Sequence, residues 1–139
     1  MADNLNVEIV SPSGSVFRGD ARAVFAPGVE GSFEILRNHA PLIAAFSVGT
    51  LTIRDMAGGN IEFTTGGGFV EVLNNHVTVL AESAEPVDQI DVDRAKGAEE
   101  RALARLADST SEADKAKAAA DLERARNRLR AAMSSVGKN

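Results

Sequence analysis

Apolar and polar positions alternate through the first part of the chain, then switch to helical spacing. Leu5, Val7 and Ile9 alternate with Asn6, Glu8 and Val10 before Ser11-Pro12-Ser13-Gly14 turns the chain, which predicts a first strand. Leu51-Thr52-Ile53-Arg54 and Ile61-Glu62-Phe63-Thr64 flank Met56-Ala57-Gly58-Gly59-Asn60, a hairpin signal. Phe69-Val70-Glu71-Val72-Leu73 and Val77-Thr78-Val79-Leu80 flank Asn74-Asn75-His76, a second one. Short strands at this spacing predict an all-β sandwich or flattened barrel. The alternation implies that one face of each strand is solvated or covered by a partner.

After Pro86 the period changes. Two helices are expected, from about Asp91 to Ala107 and from about Glu112 to Met133, around the polar turn Asp108-Ser109-Thr110-Ser111. Ser111 with Asp114 resembles a capping box, with Asp in place of the usual Glu. So short a connection makes the helices antiparallel neighbours. Val92, Ala95, Ala102, Leu103 and Leu106 of the first helix and Leu122, Ala125, Leu129, Ala132, Met133 and Val136 of the second form the expected seam. It is thin and alanine-rich, and Gly97 weakens the first helix by about 1 kcal/mol relative to alanine. The reading is a hairpin whose docking is easily reversed.

Composition sharpens the same division. All six phenylalanines and ten of the twelve glycines precede Pro86, and the first lysine is Lys96. The chain of 139 residues therefore reads as a small domain over 1–86 plus a helical appendage over 87–139. The first 84 residues hold nine acids against four arginines, which accounts for the whole net charge of −5; the rest is neutral. An acidic front domain argues against broad nucleic-acid binding. Without cysteine there is no disulfide, thiolate chemistry or sulfur-based zinc site. Met1-Ala2-Asp3-Asn4 is neither basic nor followed by an apolar run, so no signal or transit peptide is expected. No stretch approaches the roughly 18 apolar residues of a membrane span.

Candidate chemistry concentrates in the tail. At about 100° per residue, Arg94, Arg101 and Arg105 fall nearly on one line, with Asp91 one turn before Arg94. On the second helix Arg124 and Arg128 form one i, i+4 pair and Arg126 and Arg130 another. Guanidinium forks on facing helices can clasp a polyphosphate. Spacing alone favours the plainer alternative, a salt-bridged, solvated surface, because Glu99, Glu100, Asp121 and Glu123 are interleaved. Gly66-Gly67-Gly68 lacks a following Gly-Lys-Ser/Thr and leads into a strand, so it marks a bulge or close backbone approach rather than a phosphate loop. His39 and His76 sit in polar turns with no carboxylates at ligand spacing, and no serine has a base beside it. Nucleophile, paired-carboxylate and metal sites are all missing from the reading, which makes the chain a non-enzyme with no required cofactor.

Two blocks resemble the signature of the ε subunit of bacterial F-type ATP synthase. The first is Pro27-Gly28-Val29-Glu30-Gly31-Ser32-Phe33-Glu34-Ile35-Leu36 running into Asn38-His39-Ala40-Pro41-Leu42. The second is Gly67-Gly68-Phe69-Val70-Glu71-Val72 through His76-Val77-Thr78-Val79-Leu80-Ala81. The resemblance covers essentially the whole chain. It implies an α+β protein, a β-sandwich of about ten strands followed by an antiparallel two-helix hairpin. It implies a non-catalytic place in the central stalk of a proton-translocating enzyme, with the sandwich against the γ subunit and the ring of c subunits. Glu30, Gly31, Phe33, His39, Ala40, Pro41 and Leu42 are the partner contacts it implies. The expected location is peripheral, on the cytoplasmic face of a bacterial cell (inner) membrane.

The resemblance also implies regulation. The hairpin folds back, or extends along γ toward the α and β subunits and opposes ATP hydrolysis. Some members of that family bind ATP through Ile/Leu-Asp-x-x-Arg-Ala, which Ile90-Asp91-Val92-Asp93-Arg94-Ala95 fits, with an upstream glutamate matching Glu85. Their second-helix arginines match Arg124 and Arg128 in Arg124-Ala125-Arg126-Asn127-Arg128-Leu129. In this reading Asp91 accepts from the adenine amino group or holds the loop before the first helix. Arg94, Arg124 and Arg128 meet the phosphates of ATP as a regulatory ligand. The rival readings are a constitutive stalk subunit with a permanently docked hairpin, and an unrelated β-sandwich binding module.

Overall fold

A computed structural model describes residues 4–136, with side chains through Ser134. Met1–Asp3, read above for leader character, and the side chain of Val136 lie outside what is described. The chain divides between Pro86 and Val87 into two compact units.

The first unit is a sandwich of ten strands: β1 (Leu5–Ser11), β2 (Gly14–Ala21), β3 (Ala23–Ala26), β4 (Phe33–Leu36), β5 (Leu42–Phe46), β6 (Gly49–Arg54), β7 (Asn60–Thr65), β8 (Gly68–Leu73), β9 (His76–Ala81) and β10 (Ala84–Pro86). One sheet has the order β2-β1-β9-β8-β5 and the other β10-β7-β6-β3-β4. Every pairing is antiparallel except β1 with β9. Alternation does what the pattern predicts. Leu5, Val7, Ile9, Val70, Val72, Val77 and Val79 of the first sheet meet Val24, Ile35, Leu51, Ile53 and Phe63 of the second, all almost fully buried. Phe17 packs edge-on against Phe63 with ring centroids 5.9 Å apart.

Both expected hairpins form. Asp55 Oδ1 accepts from the N–H groups of Ala57 and Gly59 at 2.9 and 2.8 Å, closing the β6–β7 turn. The β8–β9 turn is shorter than expected. Leu73 pairs with His76, so Asn74 and Asn75 make a two-residue turn and His76 opens β9. Both asparagines have positive φ, 50° and 65°, as a primed turn requires. The glycine run is a close backbone approach, because a Cβ on Gly68 would overlap the Leu80 carbonyl oxygen.

The second unit opens with a 3₁₀ turn at Val87–Gln89, followed by α1 (Val92–Asp108) and α2 (Glu112–Val136). Asp91 caps α1, its Oδ1 accepting from the Arg94 N–H at 3.0 Å. Ser111 caps α2, its Oγ accepting from the Asp114 N–H at 3.1 Å. The seam is a heptad of alanines: Ala95 and Ala102 on α1, and Ala118, Ala125 and Ala132 on α2, all buried. Leu122 is buried beside them, and Leu106 and Leu129 half-buried. Two expected seam residues point elsewhere: Leu103 and Met133 are exposed. A seven-residue repeat of small side chains makes a narrow seam, and Leu103 and Met133 lie off it.

Candidate functional site

Sheet register brings one set of apolar side chains to the outer face of the first sheet. Ala45 pairs with Phe69, Phe69 with Leu80, and Leu80 with Val10, so four strands contribute one residue each to a continuous row. Ile43, one step along β5, stands on the same face. Ile43, Phe69 and Leu80 are 73%, 57% and 53% exposed. The next row along is mixed, with Ile43, Glu71, Thr78 and Glu8 in register and Glu8 bound to Arg18 at 2.7 Å, and exposed Leu73 lies beyond it on the same face of β8. A contiguous apolar row on the outer face of a sheet is the kind of feature that marks interaction surfaces. Sequence reasoning missed it. The signal was that Phe69 and Leu80 fall where alternation calls for a polar residue.

The loop between β3 and β4 adjoins this face. Gly28 bridges to Phe46, and the Val29 N–H donates to the Ala45 carbonyl at 3.2 Å. Glu30, Gly31 and Phe33 thereby line a groove of about 470 Å³ with Leu42 and Ile43. Gly31 has φ 129°, a conformation that glycine alone adopts without strain.

His39, Ala40 and Pro41 follow on the β4–β5 loop. This loop is tied to the β8–β9 turn: the Asn38 N–H donates to Asn75 Oδ1 at 2.6 Å, and Asn75 Nδ2 donates to Asn38 Oδ1 at 3.3 Å. His39 Nδ1 lies 2.8 Å from the Ala40 carbonyl oxygen. Among the described residues no group of His and acidic side chains is placed to hold a metal ion.

In the hairpin, interhelical ion pairs fix the register. Arg105 meets Asp121 at 3.0 Å and Arg126 meets Glu99 at 3.1 Å. With that register Arg124 lies opposite residues 101–102 and Arg128 opposite residues 97–98. Arg94 is one further turn toward the start of α1, so the three arginines form a staggered ladder rather than one cluster. Asp121 also accepts from Arg124 at 2.5 Å. Burial raises the pKa of its carboxyl, but hydrogen bonds and charge from Arg124 and Arg105 outweigh that, and the net position is below the ordinary 3.8. The side chains of Arg94 and Arg128 have no acidic partner among the described residues. Asp91 is occupied on one oxygen by its cap. Ala95 is buried in the seam, so its part is packing. Ile90 is half-buried, and Glu85 lies in β10, paired with Thr64 of β7. Arg94 and Arg128 thus offer guanidinium donors without a carboxylate among the described residues, Arg124 shares one with Asp121, and Asp91 keeps one oxygen outside its cap.

Taken together, the chain is a two-sheet sandwich with exposed apolar side chains on one outer face, followed by an arginine-bearing helical hairpin. Comparison with known proteins makes this specific. The β-sandwich domain of the ATP synthase, Delta/Epsilon chain family matches residues 4–87, and the long alpha-helix domain of that family matches residues 88–133. The chain belongs to the ATP synthase delta/epsilon chain family. It is 50% identical over 145 residues to an ATP synthase epsilon chain of Salinibacter ruber, covering 99% of this chain and 97% of the relative. It is 44% identical over 132 residues to that of Desulforamulus reducens, covering 95% and 99%. Its fold is shared by a chain in the mitochondrial ATP synthase of Euglena gracilis (OSCP/F1/c-ring), with a TM-score of 0.80 at 21% identity over 96% of this chain and 83% of that one.

Proposed function

We propose that the chain is a non-catalytic central-stalk subunit of an F-type ATP synthase, peripheral to the cytoplasmic face of a bacterial membrane. The sandwich holds the γ subunit and the c-ring, and the hairpin regulates hydrolysis. The observation that carries this is the row of Ala45, Phe69, Leu80 and Val10, with Ile43 beside it, on the outer face of the first sheet. Contiguous exposed apolar side chains of this kind mark interaction surfaces. The groove at Glu30–Phe33, which Ile43 also lines, and the tied loop at His39–Pro41 offer a further contact, to the c-ring. Co-expression of the chain with γ tests the reading: the two should co-elute on gel filtration, and separate elution would remove γ as the partner.

In the hairpin, Arg94, Arg124 and Arg128 receive the phosphates of ATP, and Asp91 receives the adenine amino group. ATP favours the closed hairpin by as much as it prefers it. At a hundred times its dissociation constant a ligand specific to that form adds about 2.7 kcal/mol. Deleting the chain after Pro86 should then raise ATPase activity of the assembled enzyme, and no change would mean that the hairpin does not inhibit. A second reading, a permanently docked brace, is favoured by one observation. Two interhelical ion pairs and a buried alanine heptad hold the helices together without any ligand. Amide exchange in the tail that is slow and indifferent to ATP would support the brace.

A further inference from the structure

We propose that Asp121 is a built-in competitor for the phosphates: it holds Arg124 until a polyphosphate takes the guanidinium from it, and so sets how weakly the hairpin binds nucleotide. The proposal rests on the ATP reading above. Its ground is the geometry of one carboxylate. Asp121 Oδ1 accepts from Arg124 Nη2 at 2.5 Å and Oδ2 accepts from Arg105 Nη2 at 3.0 Å. A phosphate oxygen asks for the same donors at the same distances, so the two anions cannot share Arg124 fully. Arg94 and Arg128 face no such rival among the described residues. Arg124 is therefore the one arginine of the ladder that already shares its charge and one of its five N–H donors with a carboxylate when a ligand arrives. Asp121 also places a negative charge one helical turn from where the phosphates would lie, which repels them.

The two oxygens divide the labour. The bond to Arg105 joins α1 to α2, whereas the bond to Arg124 stays within α2. Variants can therefore separate the two effects. Asp121→Asn keeps the shape and an acceptor but removes the charge. Arg105→Gln cuts the interhelical half and leaves Asp121 on Arg124.

Calorimetric titration of the full chain with ATP, and separately with inorganic tripolyphosphate, is the test. Asp121→Asn should bind both ligands about three- to tenfold more tightly than the wild type, a range set by the modest strength of partly exposed ion pairs. Arg105→Gln should show no gain. If both variants gain equally, loosening of the hairpin is the cause and the proposal is overturned. A gain for ATP that tripolyphosphate does not share also overturns it. If the wild type binds ATP and Asp121→Asn binds no better, Asp121 is not a competitor, while the ATP reading stands. If neither protein binds, both ideas fall. If only Asp121→Asn binds, the competitor is confirmed in its strongest form, a carboxylate that closes the site.

Discussion

Gly97→Ala probes how finely the hairpin is balanced. Gly97 is the sixth residue of α1, well inside the helix, and its φ is not in the left-handed region. Alanine at a helix interior is favoured over glycine by about 0.5–1 kcal/mol, because glycine loses more backbone freedom on folding. Space is the opposing term. A Cβ at this position would lie 3.1 Å from Arg101 Nη1 and 3.9 Å from its Cζ, with no backbone in the way. That guanidinium ends a flexible side chain with no acidic partner among the described residues, so it yields a few tenths of an ångström at little cost. The net expectation is about 0.5–1 kcal/mol of added stability, or roughly a two- to fivefold shift in the opening equilibrium. Hydrogen exchange of the α1 amides in the full chain should slow by that factor. Exchange that is unchanged or faster would refute the reasoning, since displacing Arg101 would then outweigh the gain in propensity.

Other perturbations separate the remaining contributions. The Asp121 pKa lies below that of the unfolded chain, so its stabilisation is complete above about pH 4 and is lost as pH falls through the folded value. In an acid titration followed by circular dichroism, the advantage of the wild type over Asp121→Asn should vanish at low pH; an advantage that grows on acidification would contradict the assignment. Asn75→Ala removes two hydrogen bonds to the β4–β5 loop and puts alanine at φ 65°, which should lower sandwich stability by about 2 kcal/mol. Asn75→Gly should restore only the backbone part, and equal melting of the two variants would mean that the turn conformation costs nothing. Gly68→Ala forces a Cβ into the Leu80 carbonyl and should destabilise the sandwich by more than about 3 kcal/mol in urea unfolding, whereas a near-native midpoint would show that β8 can shift.

The sandwich and the hairpin were legible because their signals are local. Val70 and Val72 or Val77 and Val79 declare a buried face by alternation, and Asp91 and Ser111 declare helix starts by their capping chemistry. The β1–β9 parallel pairing was not legible, because it joins residues about 70 apart and no local pattern encodes it. The docking row was hidden for the same reason: Val10, Ala45, Phe69 and Leu80 become neighbours only through strand register. Leu103 and Met133 misled because a helical wheel admits a broad stripe, whereas alanines every seven residues make a narrow one. The arginines were visible as a set, yet the tie between Arg124 and Asp121 had to be seen in place. Spacing places those two residues on adjacent turns without saying whether the carboxylate bonds Arg124, Arg128 or solvent.

The most direct test of the account is titration of the purified γ subunit with this chain and with a Phe69→Asp/Leu80→Asp variant. Both changed side chains stand outside the sandwich core, so thermal unfolding of the variant should match the wild type. The account predicts a tight one-to-one complex for the wild type and at least a hundredfold weaker binding for the variant, as expected for two charges placed in a desolvated centre. Equal affinity for the two proteins would contradict it, and the row on the first sheet would then not be the surface that holds the stalk.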